Sequence, residues 1–213
     1  MDANLAQIYR VKMEKTAAAL QKNNFDAVCV SDKTAALQKL EELLPAGATV
    51  GVGGSATLNE VGVLPLLRSG KYNFLDRYDP SLDREQALAV MKRALTADCF
   101  ITSTNAVTEN GELYNVDGNA NRVAPMLFGP DRVFVIAGIN KIVPDLAAAA
   151  QRVKQIAAPA NCVRLGLNNP CTVNGSCVDC RSESRICADT VIMARQRRSG
   201  RVTVILVAEE LGF

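Results

Sequence analysis

The sequence predicts an α/β protein with an open, mixed but mostly parallel sheet covered by helices on both faces. Three observations favour this fold class. Helical and strand-like segments alternate, the strand-like segments are short and apolar, and their ends are rich in Gly, Asn, Ser and Thr. Strands joined by helical crossovers form parallel sheets with both faces buried. The 213 residues suffice for a single domain over 1–213.

The first half of the chain alternates helices with short strands. An N-terminal amphipathic helix is predicted because six apolar residues share one face: Leu5, Ile8, Tyr9, Met13, Ala17 and Leu20. Short apolar runs predict buried strands at Phe25–Val30, Thr49–Val52 and Tyr72–Leu75. Helical spacing of apolar residues predicts the crossover helices Lys33–Leu44, Thr57–Leu67 and Asp83–Ala97.

The second half begins with a predicted strand at Cys99–Ser103, after which the pattern changes. Ala106–Thr108 and Glu112–Val116 flank Asn110-Gly111, which favours a hairpin because both turn residues tolerate positive φ. This hairpin is what makes the predicted sheet mixed. The remaining elements are a short helix, an apolar strand, an Ala-rich helix and a last strand: Asn121–Leu127, Arg132–Ala137, Asp145–Ala157 and Val202–Val207.

Composition and charge exclude several classes of protein. The net charge of +2, from 24 basic and 22 acidic residues, is too weak a field for a nucleic-acid or membrane-surface partner. No segment reaches the about 18 apolar residues of a membrane span, and no signal peptide is visible, so we expect a reducing, cytoplasmic location. With no histidine present, any chemistry uses carboxylates, Lys, Arg, Cys, Tyr or a bound cofactor.

A Gly-rich loop follows the strand Thr49–Val52 and opens the next helix. Gly53 and Gly54 allow the backbone to approach a ligand, and Ser55 or Thr57 could cap the helix or bind a ligand oxygen. A turn that only needs space is the alternative. The spacing also matches the G-x-G-x-x-A pattern of dinucleotide-binding folds, with Asp76 at the end of the next strand as the ribose-binding acid.

Three more polar loops follow strand ends and predict a pocket for a small anionic substrate. Their candidate ligand-binding residues are Thr104, Asn105, Asp117, Asn119, Arg122, Asn140 and Lys141. The carboxyl ends of strands in an open α/β sheet form the usual binding crevice. There Arg122 could clamp a carboxylate and Lys141 would add a cation. Turns and caps are the alternative role for any single residue.

Glu60 is the candidate catalytic acid or base, ahead of Asp117 and Lys141. It lies one turn into the helix that starts at the Gly-rich loop, where it could face the pocket. Stabilisation of the positive end of that helix is the alternative role of its carboxylate.

A cysteine-rich insert is predicted at about 161–190, and Cys171, Cys177, Cys180 and Cys187 lie within it. Four thiolates can bind a tetrahedral zinc ion or a [4Fe–4S] cluster. In a reducing compartment this density of cysteines favours metal over free thiols or a redox disulfide. The irregular spacing favours the [4Fe–4S] cluster over Zn. Cys29 and Cys99 lie in apolar strands and are expected in the core.

Two blocks of the sequence resemble the lactate-utilisation (LUD) domain family: GVGGSATLNEVGVL at Gly51–Leu64 and CFITSTNAVTENGELYNVDGNANRVAPMLFGPDRVFVIAGINKIV at Cys99–Val143. The similarity extends over roughly Gln7–Val207. That family is similar in fold to glucosamine-6-phosphate deaminase, ribose-5-phosphate isomerase and coenzyme A transferases, which implies an open α/β sheet with a pocket at the strand ends. The resemblance also implies a role in oxidising L-lactate to pyruvate alongside iron–sulfur partner proteins.

Three functions are therefore expected as alternatives. The chain is a component of the oxidation of L-lactate or a related hydroxy acid, with the cysteines as its electron relay. Alternatively, it is a transferase or isomerase for a coenzyme A thioester or sugar phosphate, with zinc folding the insert. The third alternative is a ligand-sensing or assembly subunit without turnover. The oligomeric state that we expect as a candidate is a homodimer.

Overall fold

The structure, a computed structural model, describes residues 3–213. In this range the strands are β1 (Asp26–Val30), β2 (Thr49–Val52), β3 (Asn73–Phe74), β4 (Cys99–Thr102), β5 (Ala106–Thr108), β6 (Leu113–Asp117), β7 (Arg132–Gly138), β8 (Ile142–Val143), β9 (Asp189–Met193) and β10 (Val202–Val207). The α-helices are α1 (Ala3–Lys22), α2 (Lys33–Leu43), α3 (Ala56–Val61), α4 (Val63–Leu67), α5 (Arg84–Arg93), α6 (Val123–Leu127), α7 (Leu146–Arg152), α8 (Ala158–Arg164) and α9 (Pro170–Asn174).

A six-stranded parallel sheet forms the centre of the molecule, with strand order β1-β10-β7-β4-β2-β3. Successive side chains of a strand point to opposite faces, so β7 supplies both cores. Val133 and Val135 pack in the core that α1 covers, whereas Phe134 and Ile136 pack in the core that α2 and α3 cover. Burial on both faces explains the unbroken apolar runs, and the predicted α/β fold class is confirmed.

The hairpin does not join this sheet, which differs from the prediction. β5 and β6 belong to a second sheet of order β8-β5-β6-β9, in which β6 is antiparallel to both its neighbours. Both sides of β4 are already paired, with β2 and β7, so no edge is free for the hairpin there. The side chain of Asn23 instead fixes the turn by donating hydrogen bonds to the carbonyls of Asn110 and Gly111.

Three element boundaries differ from the prediction. Gly62, with φ of 86°, ends α3 in a left-handed conformation, so the predicted helix Thr57–Leu67 is two short helices. The predicted helix Asp145–Ala157 continues through a π-helical turn into α8, and the cysteine-rich insert therefore starts inside a helix. Pro159 lies at the junction of the π-helical turn and α8 and has no N–H to donate there, and the Lys154 carbonyl accepts from the Cys177 N–H at 2.8 Å instead.

Burial differs from the prediction at three positions. Leu5 and Ile8 of α1 are 52% and 55% exposed, whereas Met13 and Leu20 on the same helix are buried. Cys99 is buried as predicted, but Cys29 is exposed because it lies on the edge strand β1. Within residues 3–213, no helix is long and apolar enough to cross a membrane.

Candidate functional site

A cavity of about 280 Å³ opens at the carboxyl ends of the central strands. Its walls come from the Gly-rich loop after β2, the loop after β4, the end of β6 with the loop that follows, and the end of α8. This is the crevice in which open α/β sheets bind ligands. The volume lies at the lower end of the range for ligand pockets, so it suits a small molecule.

Arg122 is the best-anchored cation of the cavity. Its side chain is 11% exposed and its Nε lies 3.3 Å from Oδ2 of Asp117. Its other nitrogens donate hydrogen bonds to four acceptors: Asn115 Oδ1 (2.6 Å), Val116 O (2.9 Å), Asn105 Oδ1 (3.0 Å) and Ser103 O (3.1 Å). Burial lowers the pKa of Arg122, but these acceptors stabilise its charge. Arg122 thus ties the loop after β4 to β6.

Gly53 makes room for this arginine. A Cβ at position 53 would lie 2.9 Å from Cγ of Arg122 and 2.7 Å from Oγ1 of Thr102, both closer than side chains pack. The Gly53 N–H instead donates to the Ile101 carbonyl at 2.9 Å. Gly53 was predicted to let the backbone approach a ligand. In the structure, its missing side chain lets the Arg122 side chain approach the backbone instead.

Asp117 is the acidic side chain that lines the cavity. It is 9% exposed, and its Oδ1 accepts a hydrogen bond from the Gly118 N–H at 2.8 Å. Its Oδ2 forms the ion pair with Nε of Arg122 and accepts no hydrogen bond from another described residue. A carboxylate oxygen can accept more than one hydrogen bond, so Oδ2 is a place where a ligand's O–H or N–H would be accepted beside Arg122.

Lys141 is buried at the inner wall, with 3% of its surface exposed. Its Nζ donates hydrogen bonds to Oγ1 of Thr57 at 2.8 Å and to Oγ of Ser103 at 2.9 Å. Burial, followed by repulsion from Arg152 and Arg122, lowers its pKa to about 7. Lys141 is therefore a group that exchanges a proton near neutral pH.

Arg152 lies behind this inner wall, where its charge acts on Lys141, although no sequence motif predicts it. It is 7% exposed on α7, and it donates to the carbonyls of Asn140 (2.9 Å) and Asn105 (2.7 Å). A lone arginine in an Ala-rich helix was the only available signal. We name Arg122, Lys141 and Arg152 the floor of the site.

The entrance carries two more cations that the sequence did not single out. Arg77 lies over the ring of Tyr78 at 5.3 Å, and Arg164 is exposed and donates to Oδ1 of Asn161 at 2.7 and 3.0 Å. In the described part of the chain no carboxylate forms an ion pair with either. With exposed Asn119 they form what we name the rim. Floor and rim together make the cavity electropositive.

The sequence profile of the LUD domain matches residues 13–207, which is most of the chain. The chain belongs to the LUD domain family. The crystal structure of a DUF162 family protein from Deinococcus radiodurans is similar with a TM-score of 0.52 and 15% identity, covering 93% of this chain and 98% of that chain. At that identity the likeness shows the fold alone.

Two further solved structures resemble this LUD domain over about half of its length. They are eIF2B beta from Chaetomium thermophilum (TM-score 0.35, 18% identity, 51% of this chain and 42% of that chain) and ribose 5-phosphate isomerase from Plasmodium falciparum (TM-score 0.33, 18% identity, 53% and 52%). With TM-scores this low, the function of these two proteins says nothing about that of the LUD domain. No curated protein matches the chain.

Eight of the predicted ligand-binding residues line the cavity of the LUD domain: Gly54, Ser55, Thr104, Asn105, Asp117, Asn119, Arg122 and Lys141. Gly53, Thr57 and Asn140 lie behind the wall. Asn140 bonds the Leu211 N–H and the Gly212 carbonyl. Ser55 caps α3 by accepting from the Leu58 N–H, at 3.4 Å.

Glu60, the predicted acid or base, is not brought to the cavity. Its carboxylate is exposed and accepts a hydrogen bond from the Gly212 N–H at 2.9 Å. Its charge still reaches Lys141, where it partly opposes the lowering of the pKa. Asp76 also lies outside the cavity lining and pairs with Arg68 at 2.7 Å.

The cysteine-rich insert of the LUD domain closes one side of the cavity through Arg164 and Ile186. The Cys171 thiol hydrogen-bonds the Cys162 thiol, and burial followed by this bond raises the pKa of Cys171 to about 11. Burial, with the charges of Cys162 and Cys177, also raises the pKa of Cys187 to about 11. The thiols thus approach one another, and Cys162, which the sequence left unassigned, is among them.

These thiols do not form a ready ligand set. In residues 3–213 no three His, Cys, Asp or Glu side chains are placed together to hold a metal ion. The described arrangement of the cysteines therefore does not fit a zinc ion or a [4Fe–4S] cluster.

Proposed function

We propose that this LUD domain binds a small carboxylate, namely a 2-hydroxy acid such as L-lactate or the 2-oxo acid formed from it, as a component of hydroxy-acid oxidation. One observation carries the proposal. The cavity is lined by three arginines, Arg77, Arg122 and Arg164, and by Lys141, against a single acidic side chain, Asp117. A pocket with this balance stabilises an anion that would otherwise be costly to bury.

The remaining polar atoms fit the rest of such a ligand. A 2-hydroxy acid carries a hydroxyl donor next to its carboxylate, and Oδ2 of Asp117, which pairs with Nε of Arg122, can accept this second donor. The carboxylate would bind the arginines of the rim, because Arg122 is already occupied by protein acceptors. The cavity volume accommodates a three- or four-carbon acid.

Oxidation of a 2-hydroxy acid to the 2-oxo acid removes the hydroxyl proton and, from the Cα–H bond, a second proton and two electrons. Lys141, with a pKa of about 7, and Asp117 are the proton-accepting groups that line the cavity. The electrons would leave to an acceptor outside the cavity, for which we propose an iron–sulfur centre of a partner protein.

Titration calorimetry tests the proposal with L-lactate, pyruvate, inorganic phosphate and coenzyme A as separate probes. We expect binding of L-lactate or pyruvate, weakened about five- to tenfold by Arg77→Ala or Arg164→Ala, since each removes a charge-assisted hydrogen bond worth about 1–1.4 kcal/mol. Arg198→Ala is the matched control, because Arg198 is an exposed arginine in an ion pair with Asp131 away from the cavity. Binding of phosphate or coenzyme A without either acid would contradict the proposal and favour the transferase or isomerase.

Metal binding by the four cysteines stays a separate proposal, which requires the insert to rearrange. Anaerobically purified protein would then hold about four irons with matching sulfide and absorb near ~400 nm, or one zinc without colour. Cys177→Ser and Cys180→Ser should abolish the metal, whereas Cys29→Ser, at an exposed site on β1, should retain it. Metal-free wild-type protein, or equal metal content in all three variants, would refute this assignment.

A further inference from the structure

We propose that Lys141 is the nucleophile of the cavity and forms an imine with the carbonyl carbon of a bound 2-oxo acid. This inference rests on the proposed function, because the arginines must hold the carboxylate of the acid while its carbonyl meets the amine. The inference adds a covalent step, and it specifies that the ligand is a carbonyl compound.

The hydrogen bonds around Lys141 leave one position of its nitrogen open. A neutral amine has two N–H groups and one lone pair. The two N–H groups are used by Thr57 Oγ1 at 2.8 Å and Ser103 Oγ at 2.9 Å. Both hydroxyls use their own protons elsewhere, Thr57 on the Leu211 carbonyl at 3.2 Å and Ser103 on the Thr104 carbonyl at 3.4 Å or Thr57 Oγ1 at 3.5 Å.

These bonds orient the amine as an attacking group. Because both hydroxyls accept from Lys141, neither donates to its nitrogen, and the lone pair stays available. Lys141 lines the cavity, and no carboxylate in the described chain forms an ion pair with it. Ser103 lines the cavity beside it.

The charges that face Lys141 favour its neutral form. Arg152 on α7 and Arg122 before α6 repel a proton on Nζ, and burial adds to this effect. Glu60 on α3 acts in the opposite sense, but its carboxylate is exposed and bonded to the Gly212 N–H. Asp117 on β6 pairs with Arg122. A lysine that is desolvated beside other cations is an activated nucleophile.

The proposed step is balanced without an oxidant or reductant. Nζ attacks the carbonyl carbon, a C–N bond forms, and the carbonyl oxygen leaves as water with the two hydrogens of the amine. Proton transfer to that oxygen needs a nearby acid or base, and Asp117 lines the same cavity. The imine has the same oxidation level as the ketone, and an added hydride donor reduces it to a stable secondary amine.

Reductive trapping tests the inference. The full chain is incubated with pyruvate or glyoxylate and sodium cyanoborohydride, digested, and mapped by mass spectrometry. At pH 7 the neutral fraction of Lys141 exceeds that of an ordinary lysine by about 10³, so we expect at least about tenfold more adduct there than on exposed Lys154 of the same digest. L-lactate has no carbonyl and should give no adduct, and Lys141→Arg should lose the adduct while keeping a cation.

The outcomes separate this inference from the proposed function. Calorimetric binding of pyruvate with no adduct on Lys141 would overturn the nucleophile and leave the carboxylate site intact. Equal labelling of Lys141 and Lys154 would overturn it as well, since that is the pattern of unspecific surface chemistry. Neither binding nor adduct would overturn both. The wild-type adduct map decides the matter even if Lys141→Arg does not fold.

Discussion

The floor and the rim of the cavity carry the same kind of charge in opposite physical situations. Arg122, Lys141 and Arg152 of the floor are buried and donate their N–H groups to protein acceptors. Arg77 and Arg164 of the rim are accessible and pair with no carboxylate of the described chain. The floor therefore holds the cavity in shape and sets its potential, whereas the rim is left to bind the ligand.

This difference follows from the cost of burying charge. A buried cation must receive its full set of acceptors from the protein, or the fold is penalised by several kcal/mol. A partly exposed arginine keeps its hydration and can exchange water for a ligand anion. Substitutions in the floor should thus change stability, and substitutions in the rim should change affinity.

The largest effect should come from Arg122→Ala. The substitution leaves Asp117 as an unpaired buried carboxylate and removes the donor from two carbonyls, so the free energy of unfolding should fall by about 3–5 kcal/mol. Urea denaturation measures this, with Arg198→Ala as the control, expected within about 0.5 kcal/mol. A loss below about 1 kcal/mol for Arg122→Ala would mean that the floor is not a structural network.

Adjacent glycines give a matched pair of smaller effects. Gly53→Ala should cost about 1–3 kcal/mol, because its Cβ would meet Thr102 and Arg122 of the floor. Gly54→Ala should stay within about 0.5 kcal/mol, since its Cβ would contact only the Tyr78 hydroxyl at 3.4 Å. The same denaturation experiment compares them. Equal costs for both would show that the loop backbone, and not Arg122, demands the glycine.

Lys141→Met should flatten the pH dependence of stability between pH 7 and about 10. Folded Lys141 has a pKa of about 7, and the unfolded lysine keeps its proton to about pH 10.4. In this window the unfolded state binds more protons, so raising the pH stabilises the wild-type fold by on the order of 1 kcal/mol per pH unit relative to the variant. Parallel stability curves for the two proteins would show that Lys141 titrates normally.

The smallest effect on stability should come from the rim. Arg77→Ala and Arg164→Ala should leave the free energy of unfolding within about 0.5 kcal/mol of wild type, because both side chains are solvated. Thermal denaturation without ligand measures this beside the calorimetric affinities. A destabilisation above about 1 kcal/mol in either variant would move that arginine from the rim to the framework of the fold.

The comparison also shows how far the candidate site was predictable. The loops that carry Arg122 and Lys141 follow strand ends, so the sequence predicted correctly that both residues line the cavity. Arg122 was expected to clamp a ligand carboxylate, yet its acceptors are protein atoms, because the hairpin returns beside the loop after β4. Arg152 and Arg164 lie along the continuous helix of α7 and α8, and the approach of this helix to the strand ends could not be inferred from spacing along the chain.

The sequence pattern was enough to predict the parallel sheet, since runs such as Val202–Val207 are apolar enough to be buried on both faces, and to predict which loops follow the strand ends. The pairing of the hairpin, the addition of β9 to it, and the contact of Glu60 with Gly212 instead of the cavity depend on tertiary contacts. The local sequence pattern of a segment indicates its secondary structure and which of its side chains are buried. Which segments become neighbours in space depends on the strand edges and hydrogen-bond acceptors that remain unpaired after the central sheet has formed.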